Sequence, residues 1–255
     1  MRTKIYQQLV GSLAFISTNT RVDVARAHSV LGQHLQNPGQ KHLNSAYHVW
    51  RYLLGKRELA IEADGSIQPS QNGLLFYGAS DAAFADDRTS RRSSYGYLFM
   101  LYGMPIDWKA SLQRSVTKST TEAELLALST AATELLAWNR LFKHLRVDLE
   151  LSPTLYCDNQ QTVGIITKID EKLHTKLRHV DIHQHWLRQE VQRGNIQIEW
   201  KPTNQMPADG LTKSLARQRH ASFMQQLGLR DIKDYLSGGD QIEGVPDPGQ
   251  LQGWY

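Results

Sequence analysis

Leu74-Leu75-Phe76-Tyr77-Gly78-Ala79-Ser80-Asp81 is an apolar run that closes on a carboxylate. Seven β-compatible residues bounded by a polar stretch predict a buried strand. An acid where such a strand leaves a sheet is either a ligand or the first residue of a turn. Its company decides. Glu124, Asp158 and Asp209 each lie at a predicted strand end or helix start, so one fold can gather all four. Like charges packed that closely repel, and a chain tolerates them mainly when divalent cations sit between. The pattern therefore points to two-metal phosphodiester chemistry.

Outward from this strand, residues 94–101 and 105–108 are further β-favouring runs, followed by a long helix over 121–145. A short strand at 154–157, helices at 160–167 and 180–193, a strand at 196–200 and helices from about 209 complete the pattern. That order predicts an α/β fold with a mixed five-stranded sheet. Upstream, Ile5, Leu9, Leu13 and Ile16 mark one helix, and Val24, Ala27, Leu31 and Leu35 a second. Leu43, Ala46, Tyr47, Trp50, Leu53 and Leu54 mark a third that ends at Gly55. Residues 66–73 are rich in Ser, Gln, Pro and Gly and read as a linker. The expected organisation is a helical segment over 1–58, an α/β domain over 59–230 and a disordered acidic tail over 231–255.

Helical periodicity separates the two glutamates of Ser119-Thr120-Thr121-Glu122-Ala123-Glu124. From Glu124, the same face carries Leu128, Ala131, Leu135 and Trp138, whereas Glu122 shares a face with Leu126, Ser129 and Thr133. Glu122 is thus the expected cap, in a box with Ser119, and Glu124 the inward ligand. Asp158 and Asp209 each precede a helix, so each could equally be a cap.

Composition sets limits. Forty per cent apolar content in 255 residues can build real cores, and no apolar run is long enough to span a bilayer. The N-terminal residues show no apolar signal core, and Cys157 is the single cysteine. Together these suggest an intracellular protein, cytoplasmic or nuclear and not secreted, without a membrane partner. Residues 1–60 hold eight Lys and Arg against Asp23 and Glu58, more than the whole net charge of +4. Such an excess suggests either a polyanion contact or a solvated helical face.

Six motifs, 80–87, 91–96, 119–128, 156–160, 176–188 and 208–213, resemble in order and spacing the ribonuclease H domain of Copia-type retrotransposon polyproteins. Residues 6–55, with Leu9-Val10-Gly11-Ser12-Leu13 and Arg51-Tyr52-Leu53-Leu54-Gly55, resemble the reverse transcriptase segment that follows the polymerase palm. The resemblance implies a ribonuclease H-like fold and a catalytic, metal-holding quartet at Asp81, Glu124, Asp158 and Asp209. It implies two Mg2+ ions, with Mn2+ able to substitute, and hydrolysis of the RNA strand of an RNA/DNA hybrid. A polymerase portion of a larger polyprotein is the other implied partner. Arg91, Arg92, Lys118 and Arg178 are the expected phosphate contacts. Phe84 stands where the family often has Trp, Val22 where it usually has Pro, and Gly210 where a bulky apolar residue is common; Gly210 should loosen the helix start that aims Asp209.

Phe84-Ala85-Asp86-Asp87 has the look of a polymerase motif, but the rest of a palm is missing and polymerase activity is not expected from this chain alone. His174, His179, His183 and His185, with nearby Lys172, Lys176, Arg178 and Arg188, fit backbone contact with nucleic acid or a polar helix face better than zinc. The rival readings are an inactive nucleic-acid-binding remnant and a structural portion of a polyprotein.

Overall fold

The computed structural model describes residues 2–62, 75–147, 149, 152–168 and 178–238. Helices α1 (Arg2–Asn19), α2 (Ala25–Gly32) and α3 (Gln40–Leu54) come first, followed by strand β1 (Leu59–Ile61). A second group is β2 (Phe76–Ala83), β3 (Ser94–Leu101), β4 (Met104–Leu112) and the long helix α4 (Thr120–His144). Next are β5 (Thr154–Cys157), α5 (Gln160–Thr167), α6 (Arg178–Gln192), β6 (Gln197–Trp200), α7 (Asp209–Thr212), α8 (Arg217–Gln226), β7 (Leu229–Asp231) and α9 (Lys233–Gly238).

The main sheet has five strands in the order β4-β3-β2-β5-β6. The first three form an antiparallel meander, and β5 and β6 run parallel to β2. This is the mixed sheet flanked by helices that the resemblance implies. Alternation along the strands gives the sheet two apolar faces. On one face Phe76, Tyr97, Phe99, Leu155 and Cys157 pack under Leu125, Leu128, Ala131 and Leu135 of α4. Gly78 is needed there, because a Cβ would lie 2.8 Å from Leu155 Cδ1 and 2.9 Å from Phe99 Cδ1.

The opposite face ties the N-terminal helices to the sheet. Leu98 and Met100 of β3 form one cluster with Val22, Ala25, Leu211, Phe223, Leu227 and Leu229. Full burial contributes roughly 1.5–3 kcal/mol for each large apolar side chain. Polar contacts fix the same junction: Trp108 Nε1 donates to Ser17 O at 2.6 Å, and Arg26 pairs with Asp86 at 2.7 Å. The helices also keep a cluster of their own, with Tyr6, Val10, Leu13, Leu31, Leu43 and Leu53, in which the Tyr6 hydroxyl donates to Leu31 O.

The structure differs locally from the sequence expectation in three places. Strand β2 continues through Asp81 to Ala83, because β3 supplies pairing partners as far as Ser94. The β1–β7 pair escapes a sequence reading, since each strand has three residues and their pairing joins Leu59 to Asp231. Residues expected to begin a disordered tail form β7 and α9 as far as Gly238, while the rest of the tail lies outside the described residues. The linker expected at 66–73 also lies outside them.

Candidate active site

Topology brings the four acids to one end of the sheet. In the parallel pairing of β2 with β5, Ser80 lies opposite Cys157, so Asp81 and Asp158 follow on neighbouring strands. Asp81 is itself paired with Gly96 of β3. A Cβ at Gly96 would lie 2.5 Å from Leu211 Cβ, so this glycine lets α7 press against the sheet. That approach carries Asp209 and Thr212 to Asp81.

Helix α4 delivers the glutamate. Ser119 is its N-cap, accepting from Glu122 N at 3.1 Å, and Glu122 Oε2 accepts from Lys118 N at 2.7 Å. Glu122 thus holds the helix start through one oxygen, while its Oε1 is buried without a hydrogen-bond partner. Two residues on, Glu124 faces β2 and accepts from Ala82 N at 3.2 Å. Asp158 does not cap α5, because the neighbouring Asn159 does so, accepting from Thr162 N at 3.0 Å. The Asp158 carboxylate instead accepts from Thr203 Oγ1 at 2.8 Å, and its backbone carbonyl accepts from Trp200 Nε1 at 2.9 Å.

Asp81 accepts a short hydrogen bond from Thr212 Oγ1. The Lys213 ammonium lies 3.5 Å from Asp81 and pairs with Asp209 one turn back on the chain. These partners were missed in the sequence, although an acid four residues before a lysine is a standard helical ion-pair signal. At Gly210, which the sequence reads as loosening this segment, packing requires a glycine. A Cβ there would lie 2.7 Å from the Phe223 ring, so α8 fills the space that a larger side chain would need.

The electrostatics are those of a charge cluster withdrawn from water. Asp81 is 1% exposed and Glu124 6%. Burial pushes the Asp81 carboxyl up to about 6 against the pull of Lys213 and Thr212, with Asp158 and Asp209 adding to the rise. Burial, then Asp81 and Asp158, push Glu124 well above the usual carboxylate range. Burial also opposes the charge on Lys213, but its carboxylate neighbours hold it up at about 12. Asp81 Oδ1 and Glu124 Oε2 are buried without a hydrogen-bond partner. Buried carboxylate oxygens left unpaired are costly unless a cation meets them.

The donor set fits a hard divalent cation, which takes oxygen ligands. Ligand atoms of Glu124, Asp158 and Cys157 lie within 4.8 Å of one another. Cys157 is fully buried in the core, and burial followed by the Glu124 charge pushes its thiol well up, which makes the carboxylates the better candidates to hold a cation. His183 meets Ser129 at 2.7 Å, and His174 lies outside the described residues.

Among the expected phosphate contacts, Arg91 is exposed on the β2–β3 loop with φ at +57°. Arg92 is half-buried and donates to Ser90 Oγ at 2.9 Å, while Lys118 is exposed just before α4. The side chain of Arg178 lies outside the described residues. Asp86 and Asp87, the polymerase look-alikes, are spent on the same loop. Asp86 accepts from Ser94 N at 2.7 Å and Asp87 from Ser90 N at 2.7 Å.

No protein-family model matches the chain. It is 32% identical over 224 residues to "Retrovirus-related Pol polyprotein from transposon TNT 1-94" of Nicotiana tabacum, covering 88% of this chain and 16% of that protein. The corresponding polyprotein from transposon RE2 of Arabidopsis thaliana is 30% identical over 233 residues, covering 91% and 16%. The chain thus spans about one-sixth of the length of these relatives. "Secreted RxLR effector protein 161" of Plasmopara viticola is 36% identical over 134 residues, covering 52% of this chain and 91% of that protein. Among solved structures, LC11-RNase H1, isolated from compost, aligns with a TM-score of 0.41 at 14% identity, covering 55% of this chain and 93% of that one. No helix among the described residues is long and apolar enough to cross a membrane. By sequence, the chain is a homologue of a segment of the Pol polyproteins of Copia-type plant transposons, and it carries the helix-flanked, five-stranded mixed sheet described above.

Proposed function

We propose that the chain is a ribonuclease H that hydrolyses the RNA strand of RNA/DNA hybrids, with Mg2+, or Mn2+ in its place, held by Asp81, Glu124, Asp158 and Asp209. The observation that carries this reading is the pair of buried, unpartnered oxygens, Asp81 Oδ1 and Glu124 Oε2, in a cluster whose charges oppose one another. Divalent ions, when bound, supply activation of water and neutralisation of charge at the scissile phosphate.

The chain's own residues prepare the site. Thr212 fixes the Asp81 carboxylate, Thr203 orients that of Asp158, and the Ala82 amide holds one oxygen of Glu124 and leaves the other free. Lys213 offsets part of the negative charge while the ligands are assembled. Arg91, Arg92 and Lys118 are the proposed phosphate contacts. Arg178 is proposed for the same role. RNA would be distinguished through its 2′-hydroxyls in a wide minor groove, largely independent of sequence. The polymerase portion of a polyprotein is the proposed partner in a longer chain.

The test is an end-labelled RNA strand presented as hybrid, as duplex RNA and as single strand, with Mg2+ and with EDTA. Cleavage restricted to the hybrid and abolished by EDTA is expected. Equal cutting of all three substrates, or cutting in EDTA, would refute the proposal.

A further inference from the structure

A cleft of about 620 Å3 opens between α2 and α3 on one side and the α7–α8 segment on the other. Its wall carries Arg51 and His48 from α3, Arg26 from α2, His220 from α8, and Lys213. The acid in the lining, Asp23, is already neutralised by Arg21 at 2.8 Å and also accepts from Tyr52 at 2.6 Å. Arg26 is likewise committed, to Asp86 and to Ser94 Oγ at 2.7 Å. Arg51 differs from both: it is exposed, and its guanidinium has no partner among the described residues. The cleft is therefore cationic, and its free cation faces solvent.

Position adds to charge. At one end the cleft is lined by Gly210 and Lys213, and the Lys213 ammonium touches Asp81 and Asp209. At the other end lies the helical segment that carries the chain's basic excess, eight Lys and Arg against two acids in residues 1–60. Lys213 thus joins the cleft to the carboxylates. Guanidinium groups suit phosphate oxygens well, through planar paired hydrogen bonds.

We infer that this cleft is a track for the phosphodiester backbone of a nucleic-acid strand leaving the carboxylate site, with Arg51 as its phosphate contact. That the strand belongs to an RNA/DNA hybrid rests on the function proposed above; the cleft itself reads backbone charge, not sequence.

The test uses the full chain and a fluorescent RNA/DNA hybrid, with Ca2+ replacing Mg2+, and follows anisotropy across a range of salt concentrations. Each phosphate contact contributes about 0.7–0.9 to the slope of log affinity against log salt. Over one decade of salt that slope is worth about five- to eightfold in affinity. Arg51→Gln is expected to lower the slope by about 0.7–0.9 and to weaken binding about five- to eightfold at 0.1 M salt. Arg51→Lys should keep the parent slope. Lys41→Gln, which removes the same charge from an exposed site on α3 outside the cleft, should match the parent. Unchanged slope and affinity in Arg51→Gln, or an equal loss in Lys41→Gln, overturns the inference. Cleavage by the parent in Mg2+, run alongside, separates the two proposals. A parent that binds through Arg51 without cutting sinks the nuclease and leaves the cleft. A parent that cuts while Arg51→Gln binds normally sinks the cleft alone, and a parent that binds no hybrid sinks both.

Discussion

Asp81→Asn should stabilise the metal-free protein. The Asp81 carboxyl, pushed up to about 6 from an ordinary 3.8, binds its proton more tightly in the folded chain than in the unfolded one. Its charge therefore costs little below about pH 4, and the cost grows until the pH passes about 6. At about 1.4 kcal/mol per pH unit, the full cost is about 3 kcal/mol. Asparagine removes that charge and keeps an oxygen to accept from Thr212. Its amide nitrogen would replace Oδ1, an atom already without a partner, so no new unpaired group is created. For a domain of this size the gain corresponds to roughly 6–12 °C in melting temperature. The assay is thermal unfolding in EDTA at pH 8, repeated in steps down to pH 4. The variant should melt higher at pH 8, and the difference should shrink as pH falls below 6. A variant that melts at or below the parent at pH 8 would show that Asp81 is not a strained charge awaiting a cation.

Glu124→Gln is expected to lose Mg2+ binding in calorimetry, whereas Glu122→Gln should keep it and cost about 0.5–1 kcal/mol of stability through the weakened cap; equal losses of binding would contradict their different placement. Gly210→Ala drives a Cβ into the Phe223 ring and should cost about 1–3 kcal/mol in urea unfolding. Adding Phe223→Leu should recover part of that loss, and no recovery would mean the ring is not the obstacle. Deleting residues 1–58 removes Val22 and Ala25 from the cluster that holds Leu98, Met100 and Leu211, so the remainder should lose its cooperative unfolding transition. A sharp, parent-like transition would show that the α/β part stands alone.

Much of this arrangement was legible in the chain because local rules and global fold agree. Residues 94–101 are a run of β-favouring residues and form a strand with those bounds. Ser119 and Glu122 announce a helix start, and the stripe from Glu124 through Leu128, Ala131 and Leu135 turns the second glutamate inward. What stayed hidden depends on distant partners. Strands β1 and β7 are too short to carry a period and exist by pairing with each other. Asn159 rather than Asp158 caps α5, a choice between adjacent equals that sequence does not make. Gly210 looked like a weak helix start because the Phe223 ring above it comes from the next helix. The basic helical segment looked separable, yet Val22 and Ala25 share a core with Leu98 and Met100.

If the carboxylate quartet cuts RNA, Asp158→Asn should abolish cleavage with the least disturbance to the fold. Asp158 does not cap α5, and asparagine can still accept from Thr203. The measurement is the single-turnover cleavage rate of an RNA-labelled hybrid in Mg2+, with circular dichroism and melting temperature recorded for the parent and the variant. A variant that folds like the parent should not cleave, and cleavage at the parent rate would show that Asp158 has no part in the reaction.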